Sequence, residues 1–306
     1  MELVGNLLNL LIFPGGLFVL LLGLAYSWLD RKAMARLQNR VGPRWFQPLA
    51  DVVKMLAKEE VVPDGATPFF FVALPLLALA GALTAALYVP LAGLAPSYSF
   101  DGDLIVTIYL LSLMTLTLGL AGANTRSRFS LLAATRAFTQ LFAYEAPFLL
   151  ALLGPAIVAR SWKIADILAY AMEHPWFLIL QPLGFLVALI GLMGKLEMPP
   201  FDAPEAETEI VAGPLTEYSG RGLALFHLAK KAELVVGLTL VAAFYLGGIA
   251  SPLAFLGKTV SLLLVMVGLQ ALLTRLRIDQ TVGLWWRYGA LLVLVQWLLL
   301  IVARVA

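Results

Sequence analysis

Long apolar runs alternate with short polar segments along the chain of 306 residues. A helix that crosses a bilayer needs about 20 consecutive apolar residues. Runs of roughly that length occur eight times, at about 4–29, 68–94, 103–122, 137–160, 175–195, 222–249, 252–274 and 284–304. The pattern predicts an all-α integral membrane protein with about eight transmembrane helices.

The composition supports this class. Hydrophobic residues make up 61% of the chain and charged residues 13%, whereas an ordinary soluble domain is about half apolar and about a quarter charged. The mean hydropathy is +0.91. Since the polar segments are short, residues 1–306 are predicted to form a single polytopic membrane domain. The first apolar run is interpreted as a retained helix rather than a signal peptide, because no basic region or cleavage site accompanies it.

The distribution of lysine and arginine predicts the orientation. If eight helices alternate, the polar loops at about 30–67, 123–136, 196–221 and 275–283 fall on one side, and three of them carry most of the basic residues. The positive-inside rule places that side in the cytoplasm. Both termini are then predicted to lie outside, in a multi-pass protein of the cell membrane.

Several kinds of chemistry are excluded or left without support. The chain has no cysteine and only two histidines, which excludes disulfides and cysteine-bound iron–sulfur clusters. It has no phosphate-binding glycine loop, serine nucleophile elbow, metal-binding helix motif or long basic tract for nucleic acid. We therefore expect no catalytic residue, metal or redox cofactor in this chain, and no nucleic-acid partner.

The most unusual polar segment is acidic. Residues 195–220 hold six of the 19 acidic residues, namely Glu197, Asp202, Glu205, Glu207, Glu209 and Glu217. Asp202 is predicted to N-cap a short helix, with Glu205 completing a capping box. In that helix Glu205 and Glu209 would share one face. Attraction of acids to a solvated helix N-terminus accounts for Asp202 and Glu205, and accounts less well for the later three acids.

The first polar loop is predicted to contain an amphipathic helix that starts at Pro48. Apolar residues recur at helical spacing from Leu49 to Leu56, and the opposite face carries Asp51, Lys54 and Lys58. Such a helix lies at the membrane interface. A surface anchor with snorkelling lysines is sufficient to explain Lys54 and Lys58.

Glu145 lies inside the fourth apolar run, nine residues after Arg136, which is about 13 Å along a helix. An ionisable residue at that depth is a functional candidate, because a charge in the bilayer is costly. Burial would suit it to carry a proton. Glu145 points away from Arg136 on the helix, so its partner must come from another helix or loop. The alternative is a glutamate that lines a static polar cavity.

Another set of charges opens the sixth apolar run. Lys230 and Glu233 are three residues apart and His227 and Lys231 are four apart, so both pairs could form locally on one helix. Two interpretations stay open. The cluster is either part of the cytoplasmic interface or a charged track that leads into the membrane.

The last polar loop carries Arg275, Arg277 and Asp279, followed by two tryptophans. Arginine and tryptophan are common anchors at the ends of membrane helices, which accounts for Arg275. Arg277 could instead pair with the acidic segment.

Four motifs in this order along the chain resemble one family, the membrane-arm heel subunit of respiratory complex I, which energy-converting membrane-bound [NiFe] hydrogenases share. The acidic motif is the most specific, and the resemblance covers nearly the whole chain. The motifs are Gly42-Pro43 with Gln47-Pro48 and Lys58-Glu59, Arg136 with Gln140 and Tyr144-Glu145-Ala146-Pro147, Pro200-Phe201-Asp202 with Glu205-Ala206-Glu207 and Glu217-Tyr218-Ser219-Gly220, and Arg275 and Arg277 with Asp279-Gln280 and Trp286-Arg287.

The resemblance implies a non-redox membrane subunit that anchors a peripheral redox arm and links electron transfer to proton or sodium translocation. [NiFe] and iron–sulfur centres are expected in peripheral hydrogenase-like and iron–sulfur subunits. Antiporter-like and small membrane subunits are expected as further partners in a prokaryotic cell membrane. The implied coupling residues are Glu145, Asp202, Glu205, Glu207, Glu209, Glu217, Lys230 and Glu233. The implied interface with the peripheral arm is formed by Arg40, Asp51, Lys54, Arg136, Arg277 and Asp279.

Two departures from complex I favour the hydrogenase branch. Residues 44–46 alone bridge the Gly-Pro and Gln-Pro motifs, where complex I has a longer insert that contains glycine. Lys230 and Lys231 stand where complex I has acidic and small residues. We therefore expect a complex of hydrogenase type. The alternatives are the quinone-chamber subunit of an NADH- or ferredoxin-quinone oxidoreductase, the same subunit of a sulfur-reducing complex, a stand-alone ion transporter, and a pure membrane anchor.

Overall fold

The computed structural model describes residues 10–174 and 180–305, and the regular secondary structure of these residues is helical. The helices are α1 Gly16–Leu37, α2 Gln47–Leu56, α3 Pro68–Ala86, α4 Asp103–Asn124, α5 Arg128–Ala159, α6 Ile164–Glu173, α7 Pro182–Lys195, α8 Glu207–Ile210, α9 Gly220–Tyr245, α10 Pro252–Leu272, α11 Ile278–Leu284 and α12 Ala290–Val305. A π-helical turn, Trp285–Gly289, joins α11 to α12. The prediction of an all-helical fold is confirmed for these residues.

Five helical segments in the described part of the chain are long and apolar enough to cross a membrane: α3, α4, α5, α10 and the continuous segment Ile278–Val302. The shorter α7 is also apolar. Helices α1 and α9 have 22 and 26 residues, but each carries several charges toward one end. Part of the predicted spans 4–29 and 175–195 lies outside the described residues. The total of eight spans therefore stays a prediction.

Helix α9 forms the centre of the bundle. Every residue from Ala232 to Tyr245 is buried, as expected for a helix that is apolar on all sides. It packs against α1, α3 and α10. Gly23 permits the close approach of α1, because a Cβ at that position would lie 2.6 Å from the carbonyl oxygen of Lys231. The ionisable residues of α9 are thus held on a tightly packed helix.

Helix α5 is longer than the run that predicted it. It begins at Arg128, so most of the predicted loop 123–136 is helical. Pro147 and Pro155 lie inside the helix, and a proline leaves the carbonyl four residues earlier without its helical donor. The Tyr245 hydroxyl donates to one such carbonyl, that of Ala151, at 2.5 Å. Neighbouring helices therefore satisfy the backbone that proline interrupts, as membrane helices require.

The acidic segment does not form the single capped helix predicted for it. A 3-10 turn, Ala203–Glu205, is followed by a break at Ala206 and then by the short α8. The Asp202 side chain makes no capping hydrogen bond, because its carboxylate is bound by Arg275. The predicted capping box is wrong, and so is the prediction that Glu205 and Glu209 share a helix face.

The helix predicted in the first polar loop is present as α2, but its packed side differs from the prediction. Pro48 and Val52 are buried against the protein, and Asp51 lies on the same side. The Asp51 carboxylate accepts a hydrogen bond from Arg31 at 3.2 Å and from Gln47 at 2.8 Å. Two residues of the predicted apolar stripe, Leu49 and Val53, are exposed. Pairing with α1 turns Asp51 inward.

Candidate functional site

Glu145 on α5 is paired with residues of two other helices, as the sequence predicted. The Lys195 ammonium at the end of α7 lies 3.7 Å from the Glu145 carboxylate. The Ser112 hydroxyl on α4 donates to the other carboxylate oxygen and accepts from Lys195 at 3.2 Å. Lys195 itself is 1% exposed. A charge this deeply buried needs a partner, and Glu145 supplies it.

Lys230 on α9 holds a second set of ion pairs, with two acids of the acidic segment. Its ammonium lies 2.7 Å from Glu205 and 3.2 Å from Glu197. The predicted local pair between Lys230 and Glu233 is not formed. Lys230, about three turns from the start of α9, therefore binds the acidic segment and links it to the helix bundle.

The two acids bound by Lys230 differ in their proton affinity. Burial raises the pKa of Glu197 to about 7, against the attraction of Lys230 and with the repulsion of Glu205. Burial also acts to raise the pKa of Glu205, but the Lys230 ammonium outweighs it and holds that pKa below its usual value. Glu197 can thus gain or lose a proton near neutral pH, whereas Glu205 stays ionised.

Glu233 lies between these two groups of charges. It is buried, and one carboxylate oxygen has no hydrogen-bond partner among the described residues. Lys195, Glu197, Lys230 and Glu145 all lie within electrostatic range of it. We call the resulting set the charged track, with the members Glu205, Lys230, Glu197, Glu233, Lys195 and Glu145. It leads from the acidic segment to α5.

Two arginines fix the outer part of the acidic segment. Arg136 on α5 donates to Glu209 at 2.7 Å and to the Ala203 carbonyl at 3.4 Å. Arg275 binds Asp202 through two nitrogens, at 2.9 and 2.5 Å. Bidentate pairs of this kind are geometrically specific. The segment is therefore held at both Asp202 and Glu209 by bases from distant parts of the sequence.

Arg277 does not pair with the acidic segment, in contrast to what the sequence suggested. Its guanidinium binds Asp279, two residues away, at 3.0 Å, and both side chains are largely exposed. Arg275 makes the contact with the segment instead. A cavity of about 540 Å³ opens between Arg136, Glu209 and this arginine-rich loop.

Other predicted site residues lie apart from the charged track. Glu217 is half-buried, with no ion pair to the described residues, and the Glu207 side chain lies outside the described part of the structure. Arg40 and Lys54 are exposed, and Asp51 pairs with Arg31. Of the predicted coupling residues, the structure brings together Glu145, Glu205, Lys230 and Glu233.

Sequence reasoning missed two members of the charged track, Lys195 and Glu197. Both stand at the boundary between an apolar run and the acidic segment, where charges are usually interpreted as interface residues. The available signal was Lys195 itself, which ends an uncharged apolar run and is a possible partner for the isolated Glu145.

A second cavity, of about 530 Å³, lies between α1, α2 and α9. Its wall contains six ionisable side chains, those of Asp30, Arg31, Asp51, Glu205, His227 and Lys231. It meets the charged track at Glu205. Within the two described ranges, no group of three or more histidine, aspartate or glutamate residues could hold a metal ion.

Comparison with known proteins shows the family. The family described as NADH dehydrogenase matches residues 10–302. A relative from Thermomicrobium roseum, named as a subunit of NADH-quinone oxidoreductase, is 37% identical over 298 residues, with 87% of each chain covered. The relative of the same name from Carboxydothermus hydrogenoformans is 35% identical over 287 residues, which cover 89% of this chain and 81% of the relative.

A solved structure has the same fold. It is a chain of the membrane-bound sulfane sulfur reductase, described as an archaeal respiratory membrane complex, with a TM-score of 0.87 and 23% identity. The match covers 95% of this chain and 98% of the other. The family resemblance carried by the sequence motifs is thereby confirmed, and this chain belongs to the NADH dehydrogenase family, with similarity to a membrane subunit of NADH-quinone oxidoreductase along most of its length.

Proposed function

We propose that this chain is the coupling subunit of a respiratory complex of hydrogenase type. As a member of its family it is a membrane subunit of an oxidoreductase complex. In our proposal it anchors a peripheral redox arm and links electron transfer in that arm to translocation of protons or sodium ions. The observation that carries the proposal is the charged track, which connects the acidic segment to an intramembrane carboxylate.

The proposed mechanism is electrostatic. A change of charge in the peripheral arm acts first on Glu205 and Glu197, which share Lys230. Protonation of Glu197 near neutral pH changes the charge that Glu233 experiences. Coulomb interactions in a weakly screened interior are strong. The effect then reaches Glu145 through Lys195, and Glu145 relays it to ion movement in the membrane.

The cavity beside Arg136, Glu209 and the arginine-rich loop supports docking of the arm at this end of the bundle. Its wall offers charges of both signs, including Arg277 and Asp279. Charged and polar groups give an interface its specificity. Arg40, Asp51 and Lys54 remain the proposed further contacts, in the first polar loop. We place this end of the bundle in the cytoplasm and both termini outside, following the positive-inside rule.

The charged wall of the second cavity supports the hydrogenase branch. Small-molecule sites are mostly apolar, with only a few polar groups, whereas six ionisable side chains stand in this wall. Such a wall is poorly suited to a quinone with an apolar tail. We propose that the [NiFe] and iron–sulfur centres belong to peripheral partner subunits, and that antiporter-like and small membrane subunits complete the complex.

The quinone branch is the second candidate, and the names of the relatives favour it, since both are NADH-quinone oxidoreductase subunits. In that case the second cavity would receive the quinone. A sulfur-reducing complex is the third candidate, in view of the shared fold. A stand-alone transporter would move ions as a purified single chain, and a pure anchor would tolerate neutralisation of every acid of the track.

The first test is purification of the intact complex through a tag on this chain, followed by assay of its electron acceptor. Hydrogen evolution from a low-potential donor without added quinone supports the hydrogenase branch. Quinone-dependent turnover, or reduction of a sulfur compound without hydrogen, moves the chain to the second or third candidate.

The second test measures ions moved per electron in vesicles that contain the complex. Glu145→Gln should retain electron transfer and lose most of the ion movement. The control is Glu173→Gln, at the end of α6 and exposed, which should behave as the natural complex does. Full ion movement in Glu145→Gln would refute the relay.

A further inference from the structure

Gln140 on α5 makes two hydrogen bonds that span the turn between α7 and the acidic segment. Its side-chain amide nitrogen donates to the Gly194 carbonyl at 3.0 Å and to the Phe201 carbonyl at 2.7 Å. The side chain is 1% exposed. A single buried amide thus ties together the two ends of residues 194–201.

This turn carries both inner ion pairs of the charged track. Lys195 reaches Glu145 on one side, and Glu197 reaches Lys230 on the other. Their relative placement depends on the backbone between Gly194 and Phe201. A rotation of the turn would therefore change both ion-pair distances at once.

The backbone of the turn is strained at Glu197. Glu197 has a φ of +51°, a left-handed conformation that a residue with a side chain adopts only at an energetic cost. Within the turn, the Glu197 amide donates to the Gly194 carbonyl at 3.3 Å, which is long for a backbone hydrogen bond, whereas the Met198 and Phe201 amides make ordinary ones at 3.0 and 2.8 Å. The two contacts from Gln140 are shorter than the Glu197–Gly194 hydrogen bond and come from a different helix.

We propose that Gln140 is a positioning residue that holds Lys195 and Glu197 in the geometry needed for coupling. This inference rests on the proposed function of the charged track. Gln140 touches no ion and carries no charge. It acts through the turn, by keeping the Glu145–Lys195 pair and the Glu197–Lys230 pair at fixed distances from Glu233.

The chemistry of the site calls for a primary amide. Two carbonyl oxygens accept hydrogen bonds from the same side-chain atom, so that atom must carry two hydrogens. The nitrogen of a primary amide does so. The Gln140 carbonyl oxygen has no partner among the described residues, so both hydrogen bonds of this side chain come from its nitrogen. Methionine has nearly the same shape and no donor. Ionised glutamate would place an oxygen against two carbonyl oxygens.

The experiment compares Gln140→Met with Gln296→Met in the intact complex. Gln296 is a matched control, since it is also buried and also makes two backbone hydrogen bonds, to Leu180 and Leu183 at the other end of α7. Two quantities are measured: hydrogen exchange of the backbone amides of Leu196, Glu197, Met198 and Phe201, and ions moved per electron in vesicles.

In Gln140→Met we expect these amides to exchange about tenfold faster, because the turn opens locally more often. Ions moved per electron should fall severalfold while electron transfer continues. Gln296→Met should leave both quantities unchanged. The inference is overturned if Gln140→Met keeps the wild-type rate of amide exchange or the wild-type number of ions moved per electron. It is also overturned if the number of ions moved per electron falls equally in both variants.

Glu145→Gln, measured in parallel, separates this inference from the proposed function. If Glu145→Gln uncouples the complex and Gln140→Met does not, the track stands and the positioning role is refuted. If Glu145→Gln keeps full coupling, the proposed function itself fails, whatever Gln140→Met does.

Gln140→Glu provides a test if Gln140→Met does not assemble. Its protonated form can still donate to one carbonyl, whereas its ionised form cannot donate at all. Ions moved per electron should therefore be partly retained at low pH and lost at high pH. A natural ratio across the pH range would overturn the inference.

Discussion

Lys195 and Glu197 stand two residues apart, yet their side chains join different ion pairs on opposite sides of one turn. Lys195 is bound by Glu145 of α5, and Glu197 by Lys230 of α9. Neither residue was among the coupling residues predicted from the sequence. Their arrangement makes the turn after α7 the junction between the acidic segment and the interior of the bundle.

Removal of Lys195 should destabilise the protein strongly. Lys195→Met leaves Glu145 without its ammonium partner in a largely buried place, and loss of one member of a buried pair costs about 3–5 kcal/mol. The double variant with Glu145→Gln should recover part of the lost stability, because no unpaired charge remains. Thermal unfolding of the purified complex measures both effects.

Lys58→Met, which removes an exposed ammonium, is the control for Lys195→Met. Its melting temperature should equal that of the wild-type complex. A double variant that is no more stable than Lys195→Met alone would show that the pair is not an energetic unit.

Protonation of Glu197 should make stability depend on pH. Its pKa is raised to about 7 in the folded protein, so the folded state keeps a proton that the unfolded chain loses near its ordinary pKa of about 4.3. The folded state therefore binds more protons between these values, and this contribution to stability falls as pH rises from about 4.3 to 7. Glu197→Gln should remove that part of the decline.

Infrared difference spectroscopy can test the same group directly. A carboxyl band that disappears in Glu197→Gln should titrate near pH 7 in the natural complex. Titration of that band near about 4.3, as for an ordinary glutamate, would contradict the raised pKa.

Arg275 should matter more for stability than Arg277. Arg275 binds Asp202 through two nitrogens and is partly buried, whereas Arg277 and Asp279 are largely exposed. Exposed ion pairs contribute about 0–1 kcal/mol, and hydrogen bonds to charged groups about 1.5–3 kcal/mol. Thermal unfolding should show a clearly lower melting temperature for Arg275→Gln and little change in melting temperature for Arg277→Gln. Equal effects of the two variants would argue against anchoring by Arg275.

The close contact of α1 with α9 should depend on Gly23. A Cβ in Gly23→Ala would meet the Lys231 backbone at 2.6 Å, and overpacking of this kind costs about 1–3 kcal/mol. Gly257 on α10 is the matched control, because a Cβ there would meet nothing within 4 Å. The melting temperature of Gly257→Ala should be equal to or higher than that of the wild-type protein. A similar decrease in melting temperature in both variants would show that close packing at Gly23 is not the cause.

Much of the architecture was predictable because its signals are local. The apolar runs predict helices in a bilayer, since only a helix satisfies its own backbone there. The position of Glu145 well inside an apolar helix followed from its distance to Arg136 along the sequence. The motifs that contain Glu145 and the acidic segment also indicated the family.

The partners of the charged residues were predicted poorly. The sequence gives only the spacing between residues along one helix, and the actual partners come from other helices. Asp202 was expected to cap its own helix, but Arg275, 73 residues away, binds it instead. Lys230 could have paired locally with Glu233 one turn on, but it reaches Glu197 and Glu205. In each case the packing of helices offered a charged partner with better geometry than the sequence neighbour.

The sequence by itself determined the membrane class, the helical content, the acidic segment and the isolated Glu145, all of which depend on residue type and short-range spacing. The tertiary structure alone decided that Lys195 and Glu197 connect the acidic segment to Glu145, and that Gln140 closes the turn between them. The physical reason is that an ion pair or a buried hydrogen bond depends on distances of a few ångströms, which the packing of α5, α7 and α9 sets.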